Sequence, residues 1–238
     1  MLLTHDILFN MKSGLTYIIF VIDRSGSMAL IRDDMIGGFN TFIKAQLDAN
    51  LGDCKVFAYK FDTIYEAMFE DIDLKDVPLL DRNNYVPRDG TALYDAMATT
   101  IDNIGVRLAA MKEEDRPEKV LVVTITDGEE NSSRKFSKEA VTDRIKHQRE
   151  VYNWDFAYIG ANQDSWAVGS SIGYSIGTTL DYTADAAGTA YAFDTLSRST
   201  LKYRSCKGAS FKFDDDEQNS PVNLSSPKAS HKTVKKSI

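Results

Sequence analysis

The sequence predicts an α/β domain: a doubly wound, mostly parallel central sheet with helices on both faces and one antiparallel edge strand. Three observations lead there. Residues 15–22 (LTYIIFVI) and 119–126 (KVLVVTIT) are short, β-branched and apolar on both faces, the pattern of parallel strands covered from both sides. Segments with helical periodicity alternate with such runs, which implies βαβ units. The chain has 238 residues and 43% hydrophobic content, enough for one domain of ordinary size.

The first strand, 15–22, runs into the polar turn Asp23-Arg24-Ser25-Gly26-Ser27. Residues 32–49 follow as a helix, with Met35, Ile36, Phe39, Phe42, Ile43 and Leu47 three and four apart. Residues 55–61 alternate as a second strand, and 65–69 pair with it as the antiparallel edge. Residues 78–90, rich in Asp, Asn and Pro, are loop. A helix over 91–111 puts Leu93, Met97, Ile101, Ile104 and Leu108 on one face. The strand 119–126 ends in a second acidic turn, Asp127-Gly128-Glu129-Glu130. Ser137 caps a helix over 137–150, whose apolar stripe is Ala140, Val141 and Ile145. A strand at 154–159, a short helix at 163–170, a last strand at 176–180 and a last helix at 184–203 complete the series. The expected organisation is an N-terminal extension (1–14), the α/β domain (15–204) and a flexible polar tail (205–238), which is acidic at 214–217 and then rich in Ser, Pro and Lys.

The net charge of −7 argues against nucleic acid as the main partner, because phosphate binding needs clustered Lys and Arg. Residues 16–22 are too short an apolar run to span a bilayer, and no basic stretch precedes them as in a signal peptide. A cytoplasmic location and no membrane partner are the expectation. Cys54 and Cys206 belong to no Cys-x-x-Cys pair, so two free thiols are expected, with a disulfide between them left open by the sequence. His5, His147 and His231 are isolated, with His147 on a polar helix face; Trp154 and Trp166 read as packing residues. No phosphate-cradling glycine loop is present.

In an open parallel sheet, ligands sit beyond the carboxyl ends of the strands near the topological switch point. Two strands end there in oxygen-rich turns: Asp23, Ser25 and Ser27 in one, Thr126 and Asp127 in the other. Thr91, after the Asp89-Gly90 turn, is a third contribution. In an extended turn every second side chain points the same way, so Asp23, Ser25 and Ser27 would converge, with Gly26 giving the backbone freedom to bend. Such hard oxygens suit Mg²⁺ or Mn²⁺ better than Ca²⁺, because hydroxyls ligate the ion without neutralising it. Taken alone, Asp23 would read equally well as a cap or turn residue. Glu129 and Glu130 read as exposed loop charge rather than further ligands, and Asn162, Gln163 and Asp164 follow a strand at the same edge.

The strings IIFVIDRSGSM (18–28), DGTALYDAM (89–97) and LVVTITDGEEN (121–131) resemble the von Willebrand factor A (vWA) domain with its metal-ion-dependent adhesion site, over roughly residues 15–203. The resemblance implies the Rossmann-like vWA fold and an intracellular bacterial or viral type of the family. It implies metal ligation by the hydroxyls of Ser25 and Ser27, and by Thr91 at least in a ligand-bound state. Asp23 and Asp127 would act through water. A partner protein would complete the shell with a Glu or Asp side chain, and the last helix would shift between closed and open states. Arg24 occupies a variable position of that pattern, where its guanidinium would meet an acidic ligand or solvent.

The function expected is therefore a metal-dependent protein-interaction module, not an enzyme. Two alternatives stand beside it: a Mg²⁺-dependent hydrolase or phosphatase, and a scaffold whose metal is purely structural. Against the first, strand-end phosphatases use Asp-x-Asp where this chain has Asp-Arg-Ser, and no His or Cys is placed by a motif as a base.

Overall fold

The computed structural model describes residues 11–214. Six strands form one sheet in the order β3-β2-β1-β4-β5-β6. They are β1 (Lys12–Asp23), β2 (Cys54–Phe61), β3 (Tyr65–Asp73), β4 (Pro117–Thr126), β5 (Asp155–Ala161) and β6 (Thr179–Tyr182). All pairings are parallel except β2 with β3, as the sequence predicts for the edge. Five α-helices connect them: α1 (Arg32–Asp48), α2 (Leu93–Ala110), α3 (Lys138–Tyr152), α4 (Ser165–Ser171) and α5 (Ala186–Ser205).

Alternation along β1 divides the core. Ile18, Phe20 and Ile22 face α1 and α5, where Phe20 meets Phe39 and Phe42 edge-on. Tyr17, Ile19 and Val21 face α2 and α3, beside Met97, Ile101, Ile104, Val141 and Ile145. Both faces of β1 are thus buried, which is why residues 15–22 carry no polar alternation. The apolar stripe expected on α1 is buried except for Ile36, partly covered, and Leu47, which is 44% exposed.

Helix termini follow local chemistry. Ser137 Oγ accepts from Ala140 N at 3.3 Å to cap α3, and Asn153 ends that helix in the left-handed region at φ 55°. The last strand lies later than expected: a turn from Ser175 to Thr178 and Gly177 at φ 84° keep those residues out of the sheet, so that β6 includes Tyr182. The packed chain also exceeds 15–204. β1 begins at Lys12, and beyond α5 Phe211 and Phe213 are buried, with Phe211 N donating to Asp155 Oδ1 at 3.0 Å and Phe213 N to the Gly177 carbonyl at 2.8 Å. The remainder of the expected extension (1–10) and of the tail (215–238) lies outside the described residues. Cys54 is buried and Cys206 exposed, both as free thiols. Among the described residues no helix is long and apolar enough to cross a membrane.

α1 and α5 pack closely because Gly38 presents no side chain to Phe193: a Cβ there would fall inside the van der Waals shell of that ring. Gly38→Ala in a helix interior would ordinarily gain about 1 kcal/mol of helix propensity. Here overpacking reverses the sign, and urea unfolding should show a loss of about 1–3 kcal/mol.

Candidate metal centre

The strand order reverses between β1 and β4. β1 continues to β2 on one side, and β4, reached later, pairs on the other. The carboxyl ends of β1 and β4 therefore flank the switch-point crevice. Asp23 closes β1 and is fully buried. Its Oδ1 accepts from Ser25 N at 2.6 Å and its Oδ2 from Thr126 Oγ1 at 2.6 Å. Tyr85 OH donates to its main-chain carbonyl at 2.6 Å. Burial pushes the Asp23 carboxyl up to about 6, against the lowering effect of the Thr126 and Ser25 hydrogen bonds. Burial likewise raises the Asp127 carboxyl, which the Ser27 hydroxyl partly offsets.

The hydroxyls form a chain outside this carboxylate. Ser25 Oγ lies 3.1 Å from Ser27 Oγ, and Ser27 Oγ donates to Asp127 Oδ1 at 2.7 Å. Thr91 comes from the loop before α2. Its position is fixed by Asn131 Oδ1, which accepts from Thr91 N at 3.0 Å, while its carbonyl accepts from the amides of Asn131 and Ser132. Gly128 shows how far these groups converge. A Cβ built on it would stand 3.2 Å from Thr91 Oγ1, 3.7 Å from Ser27 Oγ and 3.9 Å from Ser25 Oγ. Three hydroxyl oxygens, two from the turn after β1 and one from the loop before α2, thus surround one small space, and the absence of a side chain at 128 leaves it open. Among the described residues no group of three or more His, Cys, Asp or Glu side chains is arranged to hold a metal ion; this cradle is built from hydroxyls with one carboxylate on each side.

The loop bearing Thr91 is pinned to β1 and β2. Arg88 N donates to the Arg24 carbonyl at 2.7 Å, Gly26 N to the Asp89 carbonyl at 3.0 Å, and Ala92 N to the Asp62 carbonyl at 2.9 Å. Arg24 reaches neither solvent nor the cradle, contrary to both sequence readings. It is 3% exposed, with Nε 3.0 Å from Asp62 Oδ2 and Nη2 2.6 Å from Glu66 Oε2. Arg88 Nε donates to the same fully buried Asp62 at 2.6 Å, so two cations converge on one carboxylate beneath the loop.

All five predicted residues, Asp23, Ser25, Ser27, Thr91 and Asp127, meet at this edge. Tyr85, Asn131 and Asp62 have no role in the sequence reading, and Thr126, named there with Asp127 among the oxygens of the second strand end, binds the Asp23 carboxylate. Thr126 carried a signal: one residue before Asp127, strand alternation turns it to the opposite face, where it meets Asp23. Glu130 is not loose loop charge. Its carboxylate accepts from Tyr94 N, Ser132 N, Ser133 N and Ser133 Oγ, tying the loop after β4 to the first turn of α2. Glu129 is exposed. Asp164 caps α4 through Ala167 N at 2.8 Å, and Asn162 Oδ1 accepts from Ala184 N at 3.1 Å; both are occupied in shaping loops. Trp154 is buried as expected, but Trp166 is 44% exposed.

Among solved structures this chain is similar to a von Willebrand factor type A protein from Catenulispora acidiphila, at 14% identity and TM-score 0.53, over 78% of this chain and 42% of that one. The fold is that of a vWA domain. The vWF domain of a type V pili tip protein from Porphyromonas gingivalis aligns over 82% of this chain and 97% of its own length, at 11% identity and TM-score 0.57. A manganese-loaded TRAP protein from Plasmodium vivax aligns over 74% and 72%, at 15% identity and TM-score 0.51. The chain spans less than half the length of the first of these structures, and at such identities the likeness is one of fold. No family model and no curated protein matches the sequence. Within the vWA fold, the edge described above is the one where β1 and β4 deliver Asp23 and Asp127.

Proposed function

We propose that this chain is a protein-interaction module that holds one divalent cation, Mg²⁺ or Mn²⁺, among Ser25, Ser27 and Thr91. Asp23 and Asp127 hold these hydroxyls and bind the ion's water. An acidic side chain of a partner protein supplies the remaining oxygen. The observation that carries this reading is the convergence of three hydroxyl oxygens on the space above Gly128. A hard dication of this kind prefers about six oxygens and keeps some of its waters. Neutral hydroxyls leave its charge largely uncompensated, so an incoming carboxylate gains from completing the shell. The vWA fold of a manganese-loaded protein and of a pilus tip protein is consistent with this use of the edge. We read this chain as a non-enzymatic module that works inside the cell.

A pull-down from native lysate tests it. A partner retained in Mg²⁺ and released by EDTA, and absent from an Asp23→Asn bait, is the expected result. A partner that survives both treatments would move the binding surface away from this edge and leave the cation a structural role.

A further inference from the structure

The row of side chains beside Asp127 holds a buried donor that no step so far has used. β5 lies between β4 and β6. Ile125 pairs with Ile159, and Ile159 with Leu180. One pleat further along the same face, Ala161 pairs with Tyr182, and Asp127 continues β4 just past the Thr126–Gly160 pair. Asp127 and Tyr182 therefore occupy one cross-strand row with only an alanine between them. Two strand spacings, about 9–10 Å between backbones, separate them, and a tyrosine ring lying across the small Ala161 spans most of that distance.

Tyr182 is 2% exposed, and among the described residues its hydroxyl has no hydrogen-bond partner. Burial raises the Tyr182 hydroxyl above its ordinary range, and the nearby Asp127 and Asp23 carboxylates raise it further. Asp127 Oδ1 accepts from Ser27; among the described residues, no other residue donates to its Oδ2. On the same face of the sheet a second buried tyrosine, Tyr85, already donates to the Asp23 carbonyl. One tyrosine thus holds the end of β1, and the other stands in the row of Asp127.

We propose that Tyr182 is a positioning residue of the cation site, whose hydroxyl donates to the Asp127 carboxylate when the cation is bound and fixes that carboxylate against Ser27. This rests on the cation reading given above. Groups that orient a ligand set from behind commonly change metal affinity by about 10–100-fold when removed. A buried hydroxyl lacking a partner contributes nothing to the metal-free fold, so its removal separates the two states cleanly.

The test is Mn²⁺ titration of the full chain, followed by electron paramagnetic resonance, with thermal unfolding in EDTA alongside. Tyr182→Phe should weaken Mn²⁺ binding about tenfold and leave the metal-free midpoint unchanged or higher. In an Asp127→Asn background the same substitution should change the Mn²⁺ affinity no further, because the two act as one unit. An unchanged affinity in Tyr182→Phe, or equal weakening in both backgrounds, would overturn the assignment while the cation reading stood. A lowered metal-free midpoint with unaltered affinity would make Tyr182 a packing residue only. Wild-type protein that binds no Mn²⁺ would overturn the cation reading itself, and this assignment with it.

Discussion

Asp23→Asn should stabilise the metal-free protein at neutral pH and abolish its stabilisation by Mn²⁺. The first half follows from burial. Asp23 is fully covered, and its carboxyl is raised from an ordinary 3.8 to about 6. A group whose folded pKa lies above its unfolded value takes up a proton on folding. Its contribution to stability is present below about pH 4, shrinks as pH rises through 6, and stays lost above that. A shift of about two units corresponds to about 3 kcal/mol held against the ionised, metal-free fold at pH 7.5. Asparagine carries no charge and keeps the hydrogen bonds. Its carbonyl accepts from Ser25 N, and its amide donates to Thr126 Oγ1, whose own proton then turns to the Gly128 carbonyl 3.1 Å away. For a domain of this size each kcal/mol moves the thermal midpoint by roughly 2–4 °C. Asp23→Ala makes the contrast, since it leaves buried Ser25 N without its acceptor and Thr126 Oγ1 with Gly128 alone as partner, and should lower the midpoint. The second half of the prediction follows from charge: the cation requires ionised Asp23. In the wild type, Mn²⁺ affinity should fall about tenfold per pH unit below 6 as protons compete for the site. Differential scanning fluorimetry with and without Mn²⁺, from pH 5 to 8, reads both effects. A destabilised, Mn²⁺-responsive Asp23→Asn protein would contradict both halves.

What the sequence made legible, and what it did not, divides along physical lines. β1 and β4 were visible because both of their faces are buried, which leaves an unbroken apolar run in the sequence. β2 was visible through alternation, and β3 as the run that pairs with it at the antiparallel edge. The five site residues were visible because strand end, glycine and hydroxyl fall together at each of two turns. Contacts that depend on the relative placement of distant segments left no local trace. Nothing around residue 24 announces that its guanidinium turns inward to Asp62 and Glu66, since those partners sit just past β2 and on β3. Glu130 read as loop charge because its partner at Tyr94 belongs to α2, which only the folded chain brings near; the amides of Ser132 and Ser133 that it also caps are local. Phe211 and Phe213 lay in a segment whose composition reads as polar tail, and only the backbone bonds to Asp155 and Gly177 show that they close the core. The turn at 175–178 displaced β6 by about one pleat, and with it hid the row that joins Tyr182 to Asp127.

Gly128→Ala should remove cation binding while leaving the fold nearly intact. Gly128 is outside the left-handed region, so alanine strains no backbone angle there. The added methyl would lie 3.2 Å from Thr91 Oγ1, a contact that a hydroxyl relieves by moving a few tenths of an ångström. The metal-free stability should therefore change by about 1 kcal/mol or less, the low end of the cost of an added methyl, because Gly128 is only partly buried and a single hydroxyl has to shift. The same methyl occupies the space between the three hydroxyls. A cation needs each oxygen at about 2.1 Å and cannot share that space with a carbon. Loss of Mn²⁺ binding by at least 100-fold is the expected outcome, read by calorimetry on the full chain. Gly26→Ala is the matched control. It lies in the neighbouring turn, also at an ordinary backbone angle, and its Cβ would meet only the Asp89 carbonyl at 3.5 Å, so Mn²⁺ binding should persist. The sequence reading credits Gly26 with freedom to bend the backbone; in the structure its φ is ordinary, and at this edge it is Gly128 whose missing side chain leaves space between the hydroxyls. If Gly128→Ala bound Mn²⁺ as the wild type does, the ion would have to sit away from the three hydroxyls. The edge of β1 and β4 would then have to recognise its partner through Asp23 and Asp127 in some other way.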